Sequence, residues 1–89
     1  VVSSAVETSI GLDASVALAA ALPGLPFACG LGTGHLLSAD VVAEPVRPVN
    51  GELLVRRSEL DASAFAAVRA PDEINELWQA RLGHVKELL

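Results

Sequence analysis

Basic residues are scarce in this sequence: six Lys and Arg stand against eleven Asp and Glu, for a net charge of −5 at pH 7. Neutralising a phosphate backbone takes clustered cations, so nucleic acid is excluded as a partner. The one adjacent basic pair, Arg56-Arg57, is flanked by Glu52 and Glu59. Cysteine is scarcer still. Cys29 stands alone and cannot close an internal disulfide, which fits a reducing cytoplasm. No apolar run reaches the ~20 residues of a membrane span. The best stretch, Ala14 to Leu25, is short and is interrupted by Ser15, Pro23 and Gly24, and no basic segment precedes it as in a secretory signal.

Charge is also missing from one half of the chain. Through Ala39 only Glu7 and Asp13 are charged, and the other fifteen of seventeen charges lie from Asp40 onward. The composition is 52% hydrophobic with a mean hydropathy of +0.48. At 89 residues the chain is at most one small domain. A self-contained domain of that size buries only about 60–65% of its unfolded surface and is amphipathic throughout. Here the first half is composed like core and the second like a solvated surface.

What is present reads in order. Val1-Val2 opens a strand with no lead-in, which predicts a chain cut at the start of an element. Ser3-Ser4-Ala5-Val6-Glu7-Thr8-Ser9 is a turn of small and polar residues, and Ser9 or Thr8 is a good N-cap for a helix from about Ile10 to Leu22. Pro23-Gly24 stops that helix, which is apolar around nearly its whole circumference and so predicts burial on more than one side. Leu25-Pro26-Phe27-Ala28-Cys29 is a short strand of the kind buried on both faces of a parallel sheet. The expected fold is therefore α/β, with residues 1–37 forming a β-α-β unit that needs neighbouring strands.

Beyond it, Pro45, Pro48 and the valines around them predict an extended crossing segment, and Asn50-Gly51 predicts a tight hairpin turn pairing 46–49 with 53–55. Ser58 and Asp61 resemble a capping box opening a short helix from Glu59 to about Val68. Pro71, Asp72 and Glu73 open a last helix whose Ile74, Leu77, Trp78, Leu82, Val85 and Leu89 make one apolar stripe, with Trp78 as its anchor.

Chemistry concentrates at the two turns. Both Ser3-Ser4 through Ser9 and Gly30-Leu31-Gly32-Thr33-Gly34 sit at strand ends, where backbone N–H groups meet anionic ligands in α/β enzymes. The glycine loop fails the dinucleotide pattern, since His35 follows Gly34, and no P-loop lysine is present. Ser3-Ser4 lacks the G-x-S-x-G elbow of a nucleophile. Cys29 reads as a core thiol rather than half of a Cys29–His35 dyad. Glu7 and Asp13 lie on either side of a cap and do not read as an acid/base pair; Glu7 is placed to favour the positive end of the helix. His35 and His84 have no metal-ligand spacing.

The run from Ser3 to Leu12, the Ala-rich helix, and Ala28 through Gly34 together resemble the actinobacterial o-succinylbenzoate synthases, a family of the enolase superfamily. The Leu77-Trp78-Gln79-Ala80-Arg81-Leu82 core of the last helix is similar to that family's C-terminus. The resemblance implies the C-terminal β-α-β piece of a (β/α)7β enolase-type barrel. Residues 1–37 would be its last two strands and their helix, and 38–89 an extended segment and helical tail that packs on the capping domain. It implies a Mg²⁺-dependent dehydratase of menaquinone biosynthesis, cytoplasmic, with base and enediolate-stabilising lysines on strands two and six. None of those lysines or metal ligands falls on this chain, whose single lysine is Lys86.

What carries over is the holding of a small carboxylate substrate. Ser3 and Ser4 follow strand seven, and Gly30, Leu31, Gly32 and Thr33 follow strand eight, shaping the substrate's carboxylate and succinyl ends. The partners implied are the substrate and the remainder of barrel and cap, and the 89-residue chain alone is expected to be inactive. A racemase or epimerase of the same superfamily is the close alternative. A free-standing interaction module docking through the Trp78 stripe is the alternative of another class.

Overall fold

The computed structural model describes all 89 residues and contains three α-helices: α1 (Ser9–Ala21), α2 (Ala62–Val68) and α3 (Asp72–Glu87). A 3-10 turn spans Thr33–Leu36. No extended strand forms. The two expected strands are reduced to one parallel bridge, Ser3 to Gly30, and the hairpin to one antiparallel bridge, Val49 to Glu52. The reason is physical: a parallel pair is stable only with further strands beside it and layers on both faces, and this chain supplies a single pair. Accordingly, Leu25 and Phe27, expected to be buried, are exposed.

α1 begins one residue before its expected start and ends one residue before its expected end, Leu22 becoming the C-cap. Thr8 occupies the N-cap but makes no side-chain cap. The end of the helix is capped from a distance instead. The Asp40 carboxylate accepts from the Ser9 amide at 3.0 Å and from the Ser9 hydroxyl at 2.7 Å, while the same hydroxyl accepts from the Val46 amide at 2.8 Å. Ser9 thereby joins the start of α1 to residues 40–46, and it is fully buried.

One face of α1, carrying Leu12, Val16 and Ala19, packs with Leu31 and Val46 as the core; Val2, Cys29 and Leu53 lean against it. Asp13 is also on this face, and its carboxylate accepts from the Ser58 amide, which fastens residues 56–58 over the helix. The opposite face is exposed at Ile10, Leu18 and Leu22. Burial on several sides, expected from the composition, is thus realised on one side within this chain.

The Asn50-Gly51 turn forms as expected: φ is 52° at Asn50 and 78° at Gly51, the two positive values a tight hairpin turn requires. Only Val49 and Glu52 pair around it. α2 starts at Ala62 rather than Glu59, because Asp61 and not Ser58 is the cap; its carboxylate accepts from the Ala64 amide at 2.8 Å. Pro71 lies one residue earlier than expected, as the N-cap of α3. The apolar stripe of α3 is exposed at Ile74, Leu77, Trp78, Leu82 and Val85. Arg81 stacks over Trp78 with 5.1 Å to the ring centroid, the spacing of successive turns.

Candidate functional site

The parallel bridge brings the two turns together. The Ser4 amide donates to the Gly30 carbonyl at 2.9 Å and the Gly30 amide donates to the Val2 carbonyl at 3.0 Å, so Gly30 faces Ser3 directly. The approach is close: a Cβ on Gly30 would lie 2.7 Å from Ser3 Oγ, so that hydroxyl would have to rotate away, the next atom of Ser3 lying at 3.5 Å. Ser4 and Thr33 then meet across the turns, with Thr33 Oγ1 and Ser4 Oγ 3.2 Å apart. Ser4 Oγ in turn donates to Glu7 Oε2 at 3.2 Å, and Ser15 Oγ lies 3.5 Å from the same oxygen.

Of the six residues expected to hold a ligand, the structure brings Ser3, Ser4, Gly30 and Thr33 together, and Gly32 follows in the same loop beside Pro48. Leu31 is different. Only 4% exposed, it drops into the core beside Leu12 and Val16 and anchors the loop from below. The Gly32 carbonyl accepts from His35 Nδ1 at 2.7 Å, so that ring nitrogen carries a proton and His35 braces the loop. Cys29 is half-buried against the core. It makes no hydrogen bond to His35.

Glu7 is the residue whose part was not legible as such. Its charge suggested a helix-end role, whereas its carboxylate is spent on Ser4. The signal available was its spacing from Ser4, three residues along a turn. Val6 beside it adopts φ 149°, an unusual backbone for a β-branched residue that costs of order 1–3 kcal/mol. Strain of this kind accumulates where a turn is held by its surroundings.

The backbone donors divide in two. The amides of Ser4, Gly30 and Ser9 are occupied within the chain, while those of Leu31 and Gly32 make no hydrogen bond within it. No three His, Cys, Asp or Glu side chains converge. An open apolar groove of about 340 Å³ runs between α1 and the hairpin, lined by Val16, Leu25, Phe27, Leu31, Leu53 and Val55 among others. It contains none of the hydroxyl residues and is a packing surface.

The single Ser3–Gly30 bridge sets the two polar turns side by side, with α1 between them in the chain. No family model matches the chain. Among curated proteins it is 57% identical to the o-succinylbenzoate synthase of Thermobifida fusca over 82 residues, covering 92% of this chain and 25% of the relative. It is 45% identical to that of Mycobacterium tuberculosis over all 89 residues, 27% of the relative, and 46% identical to that of Mycolicibacterium smegmatis over 82 residues, 92% of this chain and 25% of the relative. The chain is thus similar, over nearly all of its length, to one segment of the actinobacterial o-succinylbenzoate synthases. It spans about a quarter of the length of those relatives.

Proposed function

We propose that this chain is the C-terminal part of an o-succinylbenzoate synthase and supplies the substrate-holding rim of an enolase-type barrel. The observation that carries the reading is the parallel bridge between Ser3 and Gly30, which sets the two turns side by side in a sequence similar to these enzymes along its full length. Residues 1–37 would close the barrel as its last two strands with α1 between them. Residues 38–89 would return over the barrel, with the exposed stripe of α3 packing on the capping domain.

In this reading the substrate is a small cyclohexadiene carboxylate that loses water through an enediolate in the cytoplasm. Mg²⁺ supplies charge stabilisation from ligands elsewhere in the enzyme, as do the lysines that move the proton. This chain's share is orientation. In this reading the Leu31 and Gly32 amides, which make no hydrogen bond within the chain, donate to a carboxylate, with the hydroxyls of Ser3, Ser4 and Thr33 beside it and Gly30 between them. Fixing the substrate's remote end converts binding energy into correct placement at the reacting carbon.

The test is turnover by the purified full-length protein with Mg²⁺. Formation of o-succinylbenzoate from the cyclohexadiene carboxylate is expected. Racemisation of an acylated amino acid without that dehydration would move the protein to the racemase branch and overturn the reading.

A further inference from the structure

We infer that Glu7 is a positioning residue that sets the direction of a hydroxyl chain, so that the rim presents lone pairs rather than protons to its ligand. The inference rests on the reading of the two turns as a substrate rim. It starts from proton counting. A carboxylate oxygen only accepts, so the Ser4 hydroxyl, 3.2 Å from Glu7 Oε2, spends its one proton there. The Thr33 hydroxyl, 3.2 Å from Ser4 Oγ, must then be the donor in that contact.

Neither Ser4 nor Thr33 retains a proton for a bound molecule. A carboxylate oxygen placed directly against them would meet lone pair with lone pair. The chemical group these two hydroxyls take is a hydrogen-bond donor of an otherwise anionic ligand: a hydroxyl or an amide N–H. The anionic end belongs to the backbone amides of Leu31 and Gly32. Geometry keeps Glu7 in this role. Its side chain lies across the first turn of α1, within 3.4 Å of where a Cβ on Gly11 would stand, and Ser15 approaches the same carboxylate oxygen from the helix.

The experiment measures, on the full-length protein, the dissociation constants of o-succinylbenzoate and of its analogue with the side-chain carboxylate replaced by a carboxamide, and takes their ratio. Glu7→Ala frees the Ser4 proton, so the ratio shifts toward the carboxylate by about tenfold, the scale of one hydrogen bond to a charged group. Glu7→Gln restores an acceptor and returns the ratio to within about threefold of the parent. Thr33→Val, which removes one of the accepting oxygens while leaving Glu7 in place, also loses the preference for the amide. A ratio unchanged in Glu7→Ala and in Thr33→Val would overturn the inference, because a merely structural loss weakens both ligands alike. If Ser4→Ala and Gly30→Ala also leave both affinities untouched, it is the rim itself that fails.

Discussion

Gly30 concentrates the account into one position. A methyl group there would stand 2.7 Å from Ser3 Oγ and force that hydroxyl to rotate away. Gly30→Ala is therefore expected to cost about 1 kcal/mol or less, the low end for an overpacked contact because the Ser3 hydroxyl can turn aside. Ser3→Ala removes the offending oxygen and leaves the nearest remaining atom at 3.5 Å. The double variant should recover at least half of the loss in a denaturant-melting cycle on the full-length protein; strictly additive losses would contradict the contact. Gly51 answers to a different constraint. Nothing lies within 4 Å of its missing Cβ, but φ is +78°, so Gly51→Ala should cost about 1 kcal/mol through the backbone alone, read from the same melts. The glycine at 51 was legible because Asn-Gly is local turn chemistry. The close approach at Gly30 was not, since Ser3 lies twenty-seven residues away and only the bridge brings it near.

At the scale of elements, α1 is held by partners that sequence spacing does not reveal. Thr8 and Ser9 mark the helix start, yet the cap is Asp40, thirty-one residues on. Burial raises the Asp40 carboxyl, and the Ser9 hydroxyl, the Ser9 amide and the Val41 amide outweigh it, with Arg47 adding, so the group titrates below its ordinary value of 3.8. A carboxyl depressed on folding contributes its stability fully above the unfolded value and loses it as pH falls through the folded one. The melting temperature of the full-length protein should therefore drop on acidification below about pH 3.8, and that part of the drop should vanish in Asp40→Ala. At neutral pH the same substitution should cost about 1–2 kcal/mol, the upper range for a lost helix cap. Helix identities were readable from apolar patterning and from Pro23 and Pro71, whereas the cap of α2, which spacing suggests at Ser58, lies at Asp61. The strands were over-read, because a parallel strand's stability lies in neighbours that these residues do not include.

Across the whole molecule, the surface does not match a domain closed on itself. The exposed area is 6788 Å², whereas a compact monomer of 9.2 kDa exposes about 4,900 Å². The radius of gyration, 15.0 Å, exceeds the roughly 12 Å of a compact chain of this length. The excess includes Leu18 and Ile10 on α1, Phe27 beside the groove, and Leu77, Trp78 and Leu82 on α3. In the proposed enzyme these residues would be covered by the remainder of the barrel and the cap. The isolated 89-residue chain is expected to bind a hydrophobic dye and to melt without a cooperative transition; a monomer with one sharp transition would favour the free-standing module instead. The sequence already carried this imbalance in its charge-poor first half. Which face of each helix stays open became visible only with the core in place.

The division of labour within the proposed enzyme is tested most directly by steady-state kinetics on the full-length protein carrying Ser4→Ala or Gly30→Ala. If this segment holds the substrate while the proton transfers occur elsewhere, KM for the cyclohexadiene carboxylate rises by about tenfold, and kcat stays within about threefold of the parent. A fall in kcat of a hundredfold or so at unchanged KM would place these residues in the chemical step and contradict the account.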